Sequence, residues 1–434
     1  MNQRPGKAIR KWFHVQVRRL IATMPRELRF AVYRAFVDCD PLPSPRLQLK
    51  IADTQLELEA CFSLLHDAYV ESGFMKPDPS GMRVTLYHAL PTTTTLCALW
   101  DGEVVGTISL IRESAFGFPL QKVFDLTPLR QKTGNLAEVS ALAVHRSFRK
   151  TGGAILFPLM KFMYEYATQY FDTRHLLIAV NPNRIEMYES LLFFQRLTAN
   201  VVENYDFANG APAVGATLDL HQAPTVMAET YSHKRPRKNL HAYFASVKLP
   251  NLHLPKRRYF TTNDPVLTPQ LLDYFFNIAT DGFSRLDPRQ VALLHSIYDL
   301  PEYQAVLPPM PERGTVSLRQ HQRFSVKCPG KLTLGGMATA KSIEVQVVEV
   351  SEYGFQAYSK SDIPLNNWFP AELRVGQQEV SMVQALAVRD HANGFNGFYG
   401  FRVGEPDLVW RKFVSVLSRA QRHDDLENAT MYLT

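Results

Sequence analysis

Glu138-Val-Ser-Ala-Leu-Ala-Val144, running into His145-Arg-Ser-Phe-Arg149-Lys-Thr-Gly152-Gly153-Ala154, is the stretch on which the fold turns. Its first seven residues are short and mostly apolar, which predicts a strand over 136–144. A basic turn with two glycines follows, and the apolar stretch after it predicts a helix over 153–170. A helix N-terminus of this kind offers outward-pointing backbone N–H groups, which bind phosphate. Gly152 and Gly153 let the backbone approach a ligand closely, and Arg149 adds positive charge. The same turn also reads as a glycine pair that only links a strand to a helix.

Working outward, 95–100 and 103–111 read as two strands joined by Asp101-Gly102, a two-residue hairpin signal. Leu56, Ala60, Leu64, Leu65 and Ala68 line one face of an earlier helix. Downstream, a strand over 175–180, a helix over 184–192 and a strand over 214–220 complete an α/β segment, residues 47–221. Residues 222–312 carry basic clusters among prolines and read as a linker. Within it Thr268-Pro269 and Asp287-Pro288 each place an N-cap before a proline at the first helical position, predicting a helical hairpin. Residues 313–420 alternate in short runs punctuated by Gly330, Gly335-Gly336 and Asn393-Gly394, with a closing helix over 408–417. That pattern predicts a small barrel, and 421–434 form a tail.

The chain has 434 residues, enough for two or three domains. Four cysteines, Cys39, Cys61, Cys97 and Cys328, share no close spacing, so no zinc ribbon or disulfide framework is indicated and a reducing, cytoplasmic setting is expected. The net charge of +7 sits in the arm, residues 1–46, while the body is near neutral. The charge therefore gives no reason to expect a nucleic acid polymer as partner. Within the arm, residues 7–24 repeat apolar residues at helical spacing with basic residues between them. Such a helix lies on an anionic membrane surface at the inner face, docks on an acidic protein, or packs on its own domain. No apolar run is long enough to span a bilayer, no cleaved leader is expected, and the scattered histidines give no reason to expect a metal site.

Arg149-x-x-Gly152-x-Ala154 resembles the acyl-donor loop of the GNAT N-acyltransferases. Asn181-Pro-Asn-Arg-Ile-Glu-Met-Tyr188 resembles that superfamily's later helix, which carries a tyrosine and ends near a Gly-Phe pair; Leu192-Phe193 stands where that pair is usual. Within the superfamily, the long loop over 113–134 and Glu138-Val-Ser140 are similar to the FeeM-type N-acyl amino acid synthases and the acyl-homoserine-lactone synthases. Ala141 departs from the arginine that the lactone synthases tend to have. The resemblance implies an α/β acyltransferase domain fed by an acyl thioester, on acyl carrier protein phosphopantetheine or on coenzyme A. Val144, Arg149, Gly152, Gly153 and Ala154 would bind that donor.

The chemistry requires an amine to lose a proton, attack the thioester carbonyl and expel a thiolate. Glu138 is the candidate base, or else a structural carboxylate paired with an arginine. Tyr188 is the candidate proton donor to the sulfur, or else a packing residue. Backbone N–H groups after Ala143 are placed to polarise the carbonyl. Arg83, Tyr87 and His88 are candidates for the acceptor's carboxylate. Phe116, Phe118, Leu120, Val123, Phe124 and Leu126 suit a fatty-acyl channel or an ordinary core.

Arg319-x-x-x-Arg323 and Glu349-x-Ser351-x-x-Gly354 resemble the two motifs of PilZ domains, a family that binds cyclic di-GMP. Arginines bind phosphate in forks and stack on purines. Glu349 stands where that family usually has Asp or Asn. Together the resemblances imply an α+β multidomain chain: a GNAT acyltransferase domain, a helical linker and a six-stranded PilZ-like barrel. The expected function is acyl transfer from acyl carrier protein to a small amine, regulated by cyclic di-GMP. An acetyl-CoA-dependent GNAT enzyme and a cyclic di-GMP receptor with a non-catalytic GNAT fold are the alternatives.

Overall fold

The computed structural model describes residues 23–149, 151–310, 322–334, 341–390 and 397–428. The amphipathic pattern over 7–22, Arg319, Gly335-Gly336 and Asn393-Gly394 lie outside them. The described part of the arm forms α1 (Arg26–Ala35), which starts after Pro25 and docks on a later helix through Arg29–Glu186 at 2.6 Å.

A mixed sheet follows. Its elements are β1 (Leu47–Ile51), α2 (Gln55–Glu71), β2 (Thr93–Trp100), β3 (Glu103–Arg112), β4 (Asn135–Val144), α3 (Leu156–Gln169), β5 (Thr173–Val180), α4 (Pro182–Leu192), β6 (Gln195–Arg196), β7 (Val202–Tyr205) and β8 (Ala211–Asp219). The order across the sheet is β1-β2-β3-β4-β5-β8-β6, with β7 paired to β8. Among the described strands of this sheet, β4 and β5 alone form a parallel ladder. The β2–β3 turn is the expected one: Asp101 and Gly102 take φ +51° and +88°, the left-handed pair such a hairpin needs. Thr54 and Glu57 close a capping box at the start of α2.

Alternation along the strands gives the sheet two buried faces. Leu96, Ala98, Ile108 and Leu110 face α3, while Cys97, Leu99 and Ile111 face α2. The long loop over 113–134 packs Phe118, Leu120, Phe124 and Leu126 into the α2 side. Two further helices, α5 (Ala223–Tyr231) and α6 (Leu240–Ala245), cover the α3 side with Met227, Tyr231, Leu240 and Tyr243. Then α7 (Pro269–Asp273) and α8 (Pro288–Ile297) begin at Thr268 and Asp287, whose side chains cap them as the sequence predicts. They bury Leu272, Phe275, Leu294 and Tyr298 against the α2 side.

The remaining strands, β9 (Phe324–Leu334), β10 (Lys341–Ser351), β11 (Gly354–Ser359), β12 (Trp368–Arg374), β13 (Val380–Arg389) and β14 (Phe398–Val403), close a six-stranded antiparallel barrel. Helix α9 (Leu408–Arg419) packs into its core with Trp410 and Phe413, both fully buried. Asp407 caps α9 by accepting the Trp410 N–H at 2.7 Å, and it also accepts the Met382 N–H.

Residues 257–264 tie sheet to barrel. Tyr259 and Thr261 bridge to Gly376 and Val326, and Arg258 pairs with Glu379. At the same time Arg257 and Tyr166 converge on Asp264, each at 2.5 Å, and Thr94 donates to the same carboxylate. The pair Arg257–Asp264 is almost fully buried. Breaking such a pair from one side strands a charge and costs about 3–5 kcal/mol. Asp264→Ala should therefore lower the free energy of unfolding by that amount, with Asp264→Asn losing less, as read by urea unfolding.

Candidate functional site

Strands β4 and β5 pair only from Asn135 to Val139. Beyond that point β4 pairs with β3 alone, and its register slips by one residue between Ser140 and Ala143. Ala141 sits in that slip with φ +53°, a left-handed conformation that L side chains adopt only under constraint. The bulge turns β4 away from β5 and opens a gap. A cavity of about 280 Å³ fills it. On the α2 face it is lined by Tyr69, Glu138, Tyr205 and Phe207. On the α3 face it is lined by Met160, Met163, Leu220, Ala223, Met227 and Phe244. The cavity therefore passes through the sheet, polar at one end and apolar at the other.

Glu138 lies at the polar end. It is 2% exposed, and its carboxylate accepts the Leu120 N–H at 3.1 Å. No lysine or arginine pairs with it among the described residues, so the paired-carboxylate reading has no partner here. Burial pushes its pKa up to about 8, with the Leu120 hydrogen bond working the other way. A carboxyl group so placed exchanges its proton near neutrality.

Tyr188, on α4, lines the same cavity. Burial raises its phenol above the ordinary value, and Arg184 opposes the shift. The helix ends in a left-handed residue at Phe193, φ +63°, whose N–H returns to the Tyr188 carbonyl. The position suited to a glycine is thus Phe193, one residue later than the sequence comparison placed it, and Phe194 packs edge-on to Tyr188 at 5.9 Å. Tyr87 is buried beside Glu138, whose charge adds to burial in raising its pKa. His88 does not face the cavity; its Nδ1 accepts the Thr85 N–H and its ring lies on Phe62.

Val144, Arg149, Gly152, Gly153 and Ala154 line no part of the cavity. They form the turn between β4 and α3, outside the mouth of the gap. Gly152 and Gly153 take φ +69° and +96°. Arg149 is exposed, donating to the Val144 carbonyl at 2.8 Å and pairing with Glu71 at 2.5 Å. Phe118, Leu120, Phe124 and Leu126 are core residues that do not reach the cavity.

Sequence reasoning missed Tyr205 and Phe207. They sit on the β7–β8 connection, which folds over the polar end. The signal was Asn209-Gly210, a second hairpin dipeptide, whose φ values are +53° and +83°.

In the barrel, Arg323 pairs with Glu349, which sits at a bulge in β10. Ser351 donates to the Gly354 carbonyl at 3.2 Å across the β10–β11 turn. A Cβ on Gly354 would meet the Phe401 carbonyl at 2.7 Å, so a side chain does not fit there. Trp410 Nε1 donates to the Glu352 carbonyl at 2.9 Å and fixes that turn to α9. The structure thus brings Arg323, Glu349, Ser351 and Gly354 to one end of the barrel.

Residues 60–219 match the family model described as FeeM, N-acyl amino acid synthase. Among solved structures, FeeM, an N-acyl amino acid synthase from uncultured soil microbes, is 24% identical, with 42% of this chain and 95% of that chain covered and a TM-score of 0.36. A CoA-dependent acyl-homoserine lactone synthase, BjaI, with SAM and isopentyl-CoA, is 20% identical over 49% of this chain and 94% of its own, TM-score 0.34. YcgR from Escherichia coli, in complex with c-di-GMP, is 16% identical over 23% of this chain and 44% of its own, TM-score 0.20. No curated protein matches the chain. Among the described residues no helix is long and apolar enough to cross a membrane, and no group of three or more metal-binding side chains occurs. The match over residues 60–219 takes in most of the N-terminal sheet and likens that part of the chain to the N-acyl amino acid synthases.

Proposed function

We propose that this chain moves a long acyl group from acyl carrier protein to the amine of an amino acid or similar small molecule, under control of cyclic di-GMP. The observation that carries the reading is the cavity through the sheet, which joins an unpaired buried carboxyl group to an apolar limb. An acetyl group would leave that limb empty; a fatty chain fills it and gains roughly 0.8 kcal/mol per buried CH₂.

In this reading the donor's phosphopantetheine arm crosses the turn at Val144, Arg149, Gly152, Gly153 and Ala154, where backbone N–H groups and a guanidinium favour its oxygens. The thioester lies in the gap with its chain on the α3 side. The neutral amine attacks from the α2 side, forming the C–N bond. Its extra proton passes to the Glu138 carboxylate, directly or through water. Backbone N–H groups after Ala143 stabilise the oxyanion. The C–S bond then breaks and the thiolate takes the Tyr188 proton. Between turnovers Glu138 releases its proton and Tyr188 regains one by exchange with solvent.

The barrel connects to this site by contact. Gln322, next to Arg323, donates to the Ile297 carbonyl at 2.9 Å. The adjacent Tyr298 donates to the Ala89 carbonyl, at the end of the short turn that carries Tyr87. Cyclic di-GMP clamped by Arg319 and Arg323 would break the Arg323–Glu349 pair and shift this contact. The arm, residues 7–24, would hold the enzyme at the inner membrane face, and the location would be cytoplasmic.

Glu138→Gln should lower kcat by 10²–10⁴-fold, the usual worth of a positioned base, in a thiol-release assay. Wild-type turnover should rise with pH through about 8, the pKa to which burial lifts Glu138. The same shift fixes the sign for stability. Between pH about 4.5 and about 8 the folded state holds a proton that the unfolded chain releases, so stability falls as pH rises through that window. Glu138→Gln should remove that fall, as thermal unfolding at pH 5 and pH 9 will show.

Ala223→Leu, which fills the apolar limb, should shift donor preference toward shorter chains by about 10-fold per displaced methylene pair, compared across acyl carrier protein loaded with different acyl lengths. Acetyl-CoA outcompeting every long-chain donor in the wild type would replace this reading with an ordinary acetyltransferase.

Cyclic di-GMP should change acyl-transfer kinetics by roughly 5–150-fold, the range of typical couplings. Arg323→Ala should abolish nucleotide binding, Gln322→Ala should keep binding but lose the kinetic response, and Glu349→Asp should tighten binding by freeing Arg323. Calorimetry paired with kinetics reads all three. Tight binding with unchanged kinetics would leave the barrel without a regulatory role.

A further inference from the structure

Lys234-Arg-Pro-Arg-Lys238 reads in sequence as part of a linker, yet the structure fixes it against the end of the arm. The Cys39 N–H donates to the Arg237 carbonyl at 2.9 Å, and Lys238 Nζ donates to the Ala35 carbonyl at 2.8 Å. Arg237 takes both nearby carboxylates, Asp38 at 2.7 Å and Asp40 at 3.1 Å. Lys234 and Arg235 are exposed and join no ion pair among the described residues. The chain offers them no local relief, since no Asp or Glu occurs between Glu229 and Asp264. A surplus of cations thus sits on an ordered loop.

The same loop is flanked by apolar side chains that the fold leaves outside. Val37 and Cys39 are buried, while Phe36 is 78% exposed and Leu42 76%. Among the described large apolar residues Leu56 alone is more exposed. Leu28, Ala31 and Ala35 extend the patch as an exposed stripe along α1 at helical spacing, because α1 turns Arg29 and Arg34 to α4 instead. Exposed apolar residues are ordinary when scattered singly; here they border a cation surplus. Residues 1–22, joined to the start of α1, add six Lys and Arg and no Asp or Glu.

We infer that residues 36–42 and 234–238 together form a docking surface for an anionic lipid bilayer, separate from residues 7–24 and able to bind without them. Headgroup charge attracts the cations, and the interface admits Phe36 and Leu42 without a preformed pocket. A folded protein would need a pocket for each. An acidic carrier protein is the rival occupant, since a Cβ on Gly152 in the donor turn would lie 3.5 Å from the Asp38 carboxylate. The loop joins α5 to α6, and Met227, His241 and Phe244 of those helices line the cavity. The bilayer would therefore lie beside the wall of the apolar limb. The inference does not rest on acyl transfer.

The test is vesicle flotation of the full-length chain at low salt. One vesicle is phosphatidylcholine alone; the other is three parts phosphatidylcholine to one part phosphatidylglycerol. The wild type should float with the mixed vesicles and not with the neutral ones, and added salt should release it. Lys234→Glu with Arg235→Glu should weaken partition by about 10-fold or more, and Phe36→Ser with Leu42→Ser by about 10-fold. The two pairs lie on different segments, so either carries the test if the other fails to fold, as thermal unfolding will show. Arg10→Gln, Lys11→Gln, Arg18→Gln and Arg19→Gln combined should weaken binding but keep the preference for mixed vesicles. Adding Lys234→Glu and Arg235→Glu to that chain should abolish the preference. Wild-type partition in both paired variants would overturn the surface and leave the arm as the lipid anchor, and so would no binding of the wild type to mixed vesicles. Unchanged partition with slower transfer from acyl carrier protein, but not from acyl-CoA, would assign the face to the carrier instead.

Discussion

Two parallel strands that part midway through a sheet create an obligation that the surrounding structure must meet. Past Val139 the β5-facing edge of β4 has no neighbouring strand, and backbone polar groups left dry are costly. The gap that results holds a cavity with walls from both faces of the sheet. The bulge at Ala141 sets the angle of departure, and the side chains of α2, α3 and the β7–β8 hairpin decide what the gap admits. Helices α5 and α6, beyond the residues matched by the family model, complete the apolar wall. A change at the bulge would therefore be felt on both faces at once.

Charge is distributed with the same economy. Where the fold uses buried cations to hold itself together, they are paired: Arg257 with Asp264 below the sheet, and Lys161 with Glu165 on α3. Beside the cavity they are not. Glu138 has only an N–H, and Arg83 only a carbonyl and two aromatic faces. Stability would be served by bringing such groups together or replacing them with apolar ones.

Local chemistry made much of this legible. The Asp101-Gly102 turn, the caps at Thr268 and Asp287, and the strand–turn–helix around Gly152 follow from side chains a few residues apart, and they stand where the pattern put them. Glu138 stood out because an acid inside an apolar strand demands a reason. Other features depend on contacts distant in sequence. That Glu138 lacks an arginine partner is decided by Leu120, Tyr87 and Tyr205, none of which its own segment reveals. The aromatic run over 116–126 could equally line a channel or fill a core, and only the packing against α2 resolves it into core. Phe193 hid its role because a left-handed helix end ordinarily advertises itself as glycine.

A cavity that pierces a sheet has two doors, and this bears on how a finished molecule departs. An N-acylated product would lie threaded, its polar head on the α2 side and its tail between α3 and the α5–α6 wall. Toward Asn135–Val139 the paired strands bar its way, so it must leave by the diverging ends of β4 and β5 or be drawn out along its own length. Along that second route each added carbon lengthens the path as well as tightening the grip. Longer chains would then bind better and leave more slowly, and the enzyme's pace would come to be governed by unthreading instead of bond making.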